Sequence, residues 1–155
     1  MTARLCAVTL EPGDGRAPSP EAAQEQNVAI FDLLEENHFS IPGAPQGPYL
    51  LTLGLTGSRL AFDLRCEDGT AAARFTVTLG ELRQIVKDYE GICASYYEAV
   101  RSKPPAEIEK LDEARRAIHH EGADTLRALL DGHAELDDDT ARRLFTLVCA
   151  LTDSA

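Results

Sequence analysis

The strongest constraint in this sequence is a run of three extended segments, residues 49–56, 59–65 and 72–78, separated by turns too short for anything but hairpins. The first turn is Gly57-Ser58 and the second Glu67-Asp68-Gly69-Thr70. Glycine supplies the positive φ that tight hairpin turns demand, and Asp-Gly between alternating segments is a strong hairpin signal. In the middle segment Phe62 and Leu64 alternate with Asp63 and Arg65, so one sheet face is expected to be wet and the other covered. Two or three strands do not stand alone in water, so something must pack on the apolar face.

The remaining chain supplies that cover. Residues 4–10 (RLCAVTL) read as another strand, and the Gly- and Pro-dense stretch EPGDGRAPSP after them as a loop. Ser19-Pro20 reads as a helix start, with a helix to about residue 37 that places Ala23, Asn27, Ile30, Phe31 and Leu34 on one face. The stretch HFSIPGAPQGP reads as a second loop, and Thr78-Leu79-Gly80-Glu81 has the form of a capping box. The helix after it carries Leu82, Val86, Tyr89, Cys93, Tyr96 and Val100, widened by Ile85 and Ile92, and is expected to be the central helix. Pro104-Pro105 opens the next helix, in which Ile108, Leu111, Arg115, Ile118, Gly122, Thr125 and Leu129 share a stripe to about Leu130; a kink or break would fall at Gly122. Gly132 ends it, and Leu136 fits a short strand. Asp137, Asp138 and Asp139 suit the positive end of a last helix, one as cap and the others facing the dipole, with Leu144, Phe145, Val148 and Leu151 on its apolar side. The expected fold is a single α+β domain over residues 1–155, order β-α-β-β-β-α-α-(β)-α, with a small, mainly antiparallel sheet covered by helices on one side.

Charge narrows the function classes. With 26 acidic and 15 basic residues the formal net charge is -11, and the basic residues are scattered. Phosphate backbones and anionic membranes would be repelled, so neither nucleic acid nor membrane is an expected partner. No stretch reads as a signal peptide or a membrane span, which suggests the cytoplasm. Cys6, Cys66, Cys93 and Cys149 have no C-x-x-C spacing and read as reduced apolar fillers. Phosphate-binding glycine loops and nucleophile elbows are missing, and nothing among the many carboxylates selects a catalytic pair. No cofactor is expected.

The sharpest polar cluster is Arg115-Arg116-Ala117-Ile118-His119-His120-Glu121-Gly122. On a helix Arg115 stands one turn from His119, and Arg116 one turn from His120, so the four could bind a phosphate or carboxylate. The competing and favoured reading pairs Arg115 and Arg116 with Asp112, and His120 with Asp124. A metal on His119, His120 and Glu121 is a poor fit, because adjacent histidines diverge by about 100° around a helix. Tyr89, Tyr96 and Tyr97 near Lys87, Asp88 and Glu98 read as core tyrosines with hydroxyls at the rim, the alternative being a pocket lined by Tyr97 and Arg101. His38 could serve as acid or base beside loop 40–48, but reads more simply as a dipole partner at a helix end. Arg142 and Arg143 behind Asp139 and Thr140 could hold an anion, and more simply pair with Asp137 and Asp138.

The stretches AIFDLLEEN (29–37), GPYLLTL (47–53), IVKDY (85–89), ICASYYEAVR (92–101), RRAIHHEG (115–122) and DTARRLFTLVCAL (139–151) resemble uncharacterised protein family 0262, small alphaproteobacterial proteins. The resemblance runs nearly the whole chain and departs from it in the N-terminal loop and the last few residues. It brings no reaction, cofactor or site residue with it. Two function classes follow from the residues themselves. One is a non-catalytic binding or regulatory protein that meets a protein partner or small ligand with a helix face or the sheet edge. The alternative is an enzyme or sensor for an anionic small molecule at Arg115, Arg116, His119 and His120. A homo-oligomer burying extra helix surface is a third expectation.

Overall fold

The computed structural model describes residues 3–11 and 20–153. In chain order the elements are β1 (Leu5–Glu11), α1 (Pro20–Glu35), β2 (Phe39–Ser40), β3 (Tyr49–Thr56), β4 (Arg59–Cys66), β5 (Ala71–Thr78), α2 (Glu81–Ser102), α3 (Pro105–Leu129), β6 (Glu135–Leu136) and α4 (Asp138–Asp153). The fold is α+β, as the sequence patterning requires. Ser19, the expected cap of α1, lies outside the described residues, and Pro20 is the first helical residue.

Strands β3, β4 and β5 form the antiparallel meander, and β1 adds in parallel beside β3, giving the order β1-β3-β4-β5. Register puts Leu51 opposite Leu64, Leu53 opposite Phe62 and Leu55 opposite Leu60, so one face is a continuous leucine-phenylalanine layer. Thr52, Asp63 and Arg74 stand side by side on the other face, in water. Gly57 and Gly69 take positive φ in the two hairpin turns. The segment read as a loop between α1 and β3 contains β2, which pairs antiparallel with β6 almost a hundred residues later, Phe39 opposite Leu136.

Three expectations are corrected. Thr78 does not cap α2: it is the last residue of β5, the helix starts at Glu81, and the cap position is Gly80 at φ 51° with no side-chain cap. Leu79 N–H still donates to Ser58 C=O at 2.8 Å, so sheet pairing holds the chain extended past Thr78 and leaves its hydroxyl too far back. Asn27 and Phe31 are not on the buried face of α1, Phe31 being 63% exposed; Ile30 and Leu34 turn inward as expected, joined by Ala29 and Leu33. The central helix is α4, not α2. Ala141, Leu144, Phe145, Leu147, Val148 and Leu151 are all buried because α4 lies between the sheet, α1 and α3. In α2 the residues Leu82, Ile85 and Val86 are buried in the main core and Tyr89 is half-buried against it, whereas Val100 is 53% exposed.

Helix α3 runs unbroken through Gly122, whose role is closeness. It is buried against α4, where an added Cβ would sit 2.3 Å from the Phe145 ring. Asp137 caps α4, its carboxylate accepting Thr140 N–H at 2.9 Å, with Asp138 and Asp139 in the first turn at the positive end of the dipole. Helix α1 ends at Glu35, two residues earlier than expected, and Asn37 then clamps it to the sheet. Its amide donates to Leu33 C=O and Leu5 C=O and accepts Leu5 N–H, at 2.9, 3.0 and 2.7 Å.

Candidate functional site

Helices α1, α2 and α4 surround a large concavity. Helix α4 forms its floor with Arg143, Thr146, Cys149 and Ala150; α1 contributes Gln24, Val28, Ala29 and Asp32; α2 contributes Tyr89, Glu90, Cys93, Ala94 and Tyr97. Its volume is about 880 Å³, within the range of ligand-binding clefts, about 300–1,000 Å³. Val28 and Tyr97 are 54% and 56% exposed on opposite walls, and Phe31 and Val100 follow them one helical turn along. These four are the large exposed apolar side chains among the described residues.

The electrostatics of this groove are mixed. Asp32 and Glu90 bring carboxylates to the two walls. Arg143 is the basic residue among the described lining, and its Nη1 donates to Glu36 C=O at 2.8 Å. Tyr89 reaches the groove from within: burial and neighbouring Cys93 push its phenol well above the usual range, so it remains a neutral hydroxyl.

The arginine–histidine cluster lies on α3, outside the residues that line the groove. Arg115 Nη2 donates to Asp112 Oδ1 at 2.5 Å, and Arg116 Nη2 lies 3.2 Å from Asp112 Oδ2, so one carboxylate holds both guanidinium groups. The shared pairing lowers the Asp112 pKa and raises that of Arg115, in each case through their mutual hydrogen bond. The Arg115 guanidinium also stacks over the Tyr96 ring at 4.5 Å, a cation–π contact, while its Nε is enclosed with no acceptor among the described residues.

The two histidines part company. His120 faces outward to Asp124 at 3.3 Å. His119 turns inward between Tyr89 and Phe145, with ring centroids 5.2 and 5.1 Å away, and its Nε2 is 2.9 Å from Thr146 Oγ1. Thr146 donates its own proton to Arg142 C=O at 3.3 Å. The Thr146 oxygen is then the acceptor for His119, whose proton sits on Nε2. Burial first, then the positive charges of Arg142 and Arg115, pull the His119 pKa down to about 4. The structure thus joins Arg115 to Arg116 through Asp112 and separates His119 from His120.

The other polar positions fall into place locally. His38 N–H donates to the buried Thr140 hydroxyl at 2.9 Å, and its side chain edges a shallow depression with Arg127 and Glu135. Arg142 pairs with Asp139 at 3.1 Å, and Asp138 pairs with Arg127 rather than with a neighbour on its own helix. Tyr97 lines the groove, whereas Arg101 is not among its described lining. Among the described residues no three His, Cys, Asp or Glu side chains converge as a metal site, and no helix is long and apolar enough to cross a membrane. Sequence reasoning does not assemble the groove: it offers Tyr97 as a pocket residue, sets Phe31 on the buried stripe of α1, and passes over Val28, an apolar residue beside that stripe.

Relatives extend over the whole of this architecture. A relative from Paracoccus denitrificans is 52% identical over 153 residues, covering 96% of this chain and 94% of its own. A relative from Jannaschia sp. is 52% identical over 149 residues, covering 95% and 96%, and one from Ruegeria pomeroyi is 50% identical over 153 residues, covering 96% and 95%. No solved structure matches the chain. The family model matching residues 2–153 is Uncharacterised protein family UPF0262, and the chain belongs to that family.

Proposed function

We propose that this protein is a non-catalytic binding protein that seats an amphipathic, basic helical segment of a protein partner in the groove between α1 and α2. One observation carries the reading: Val28, Phe31, Tyr97 and Val100, the large exposed apolar side chains among the described residues, all stand on the two helices that wall one concavity. Apolar surface of this kind, gathered around a groove, is characteristic of helix-in-groove recognition. Charge selects the occupant. Asp32 and Glu90 face the groove from both sides, and the whole chain carries -11, so a helix flanked by Lys or Arg gains where an acidic one is repelled.

The test is fluorescence anisotropy with a labelled 18-residue amphipathic peptide, Leu-faced and Lys-flanked, against its Glu-flanked counterpart. The basic peptide is expected to bind, with affinity falling as salt rises, and Val28→Asp or Tyr97→Asp to weaken it about tenfold or more, as loss of a buried anchor does. Equal binding of both peptides, or full binding by both variants, refutes the reading.

A second reading, an enzyme or sensor for an anionic small molecule at Arg115, Arg116, His119 and His120, is favoured by the enclosed Arg115 Nε with no acceptor among the described residues. Calorimetry with inorganic phosphate and small carboxylates tests it. Binding that survives in both Arg115→Ala and His119→Ala, or no binding by the parent, removes it.

A further inference from the structure

The two edges of the sheet are finished differently. At the β1 edge the Asn37 side chain satisfies both backbone groups of Leu5, and Phe39 N–H donates to Ala3 C=O. At the other edge β5 pairs with β4 alone. The phase of that ladder is fixed at both ends. Leu79 N–H donates to Ser58 C=O, and Cys66 N–H donates to Thr70 C=O. Alternation along an antiparallel pair then aims the backbone groups of Phe75 and Val77 at β4, and those of Arg74, Thr76 and Thr78 away from the sheet. All three residues are exposed, and no described backbone group bonds to them from outside. The middle of this edge lacks proline, lysine and bulge, the usual protections of a bare strand; the one irregularity lies at its start, near Ala71–Ala73.

We propose that β5 is a self-association edge, on which a second copy of this chain adds antiparallel, with the two-fold axis at Thr76. In that register Thr76 exchanges both backbone hydrogen bonds with Thr76 of the second copy, and Arg74 exchanges both with Thr78, so all six outward groups on each strand find partners. Arg74 never faces its own copy. Thr–Thr and apolar cross-strand pairs are favourable, and Phe75 falls opposite Val77 on the covered face. The charge map selects a second copy at this place. A chain of net charge -11 repels itself over most of its surface, but β5 holds no acidic residue, and the wet face beside it carries Arg59, Arg65 and Arg74 against Asp63. Along the strand itself two such edges meet where neither is negative, with Glu67, Asp68 and Glu81 lying beyond its ends. Strand addition alone buries less than a standard interface of about 1,600 Å², so the dimer is expected to form reversibly with concentration.

Sedimentation velocity between about 5 µM and 1 mM, a range suited to an interface of that size, reads the association directly. The parent should shift from monomer to dimer across it. Thr76→Lys and Thr76→Glu change a side chain that is exposed in the monomer, and each should hold the protein monomeric, because two like charges then meet on the axis. An equimolar mixture of the two variants should restore the dimer, because opposite charges meet there; only an axis at residue 76 predicts this rescue. A parent that stays monomeric, a dimer that survives in both single variants, or a mixture that remains monomeric overturns the proposal. So does a dimer abolished by Val28→Asp and untouched at residue 76, which would place a second copy in the helical groove.

Discussion

Two glycines inside helices should respond to the same substitution with opposite signs. Gly91, exposed on α2, would meet nothing within 4 Å if it gained a Cβ. Gly122, buried on α3, would bring that Cβ to 2.3 Å from two atoms of the Phe145 ring and 2.8 Å from a third. Alanine is preferred to glycine in a helix interior by about 0.8–1.0 kcal/mol, and Gly91→Ala should realise most of that gain. At Gly122 the same gain is opposed by a clash that requires more than an ångström of movement. Phe145 has nowhere to go: it is fully buried, with the Tyr89 and His119 rings edge-on at 5.7 and 5.1 Å. Overpacking of a tight core costs about 1–3 kcal/mol and occasionally more, and expelling the ring instead would forfeit roughly 3 kcal/mol of burial.

Gly122→Ala should therefore destabilise the protein by a net of up to about 2 kcal/mol after the helix gain is subtracted. Urea unfolding followed by circular dichroism at constant m-value measures it, and the melting temperature should fall by about 2–4 °C per kcal/mol at this chain length. Phe145→Leu, costly alone through lost packing, should be far less costly in the Gly122→Ala background, since the smaller side chain relieves the clash. A double-mutant cycle with no coupling, or a Gly122→Ala protein as stabilised as Gly91→Ala, would show that α3 and α4 do not approach as closely as described, and the reasoning would fail.

Two further perturbations probe the polar interior. His119 is held near a pKa of about 4 against about 6.5 unfolded, so only the unfolded chain takes up its proton between those values; stability should drop as pH falls from about 6.5 to 4, and His119→Gln should remove that part of the slope. A proton-NMR titration of the His119 ring with a midpoint near 6.5 would contradict the burial by Tyr89, Phe145 and Thr146 that the prediction rests on. Asn37→Leu leaves the N–H and C=O of buried Leu5 without their amide partner and should cost about 2–4 kcal/mol in urea unfolding, two unsatisfied groups at about 1–3 kcal/mol each less some relaxation; a loss under 0.5 kcal/mol would mean that the clamp does not hold β1.

What was legible in the sequence follows the range of the interactions involved. The meander could be read because period-two alternation and Gly57 and Gly69 act within a few residues, and the Arg115–Asp112 and His120–Asp124 pairs because helical spacing alone brings them together. Wherever a distant element decides, the sequence is mute. Phe39 and Leu136 become strand residues only through each other. Phe31 and Leu33 are equally apolar neighbours, and the packing of α1 on β1 and α4, not periodicity, buries one and exposes the other. His119 and His120 look like a pair in sequence; the ring of Phe145 and the hydroxyl of Thr146, both from α4, draw one inward. The groove belongs to the same class, since its floor and two walls come from helices separated by most of the chain.

That dependence on distant packing also explains why the two proposed surfaces do not compete. The groove is lined from α1, α2 and α4, and no described residue of β5 contributes to it. The edge is made of backbone groups on β5, whose orientation follows from the β4 ladder and owes nothing to the helix walls. A helix seated between α1 and α2 therefore leaves Arg74, Thr76 and Thr78 bare, and a second copy added at Thr76 leaves Val28 and Tyr97 exposed. Charge acts in the same direction. Carboxylates at the groove favour a basic occupant, while the arginines on the wet sheet face lessen the repulsion of another acidic copy at that edge. A dimer joined at β5 would thus carry two open grooves, and a partner with two basic helical segments spaced to reach both would gain avidity without any new contact.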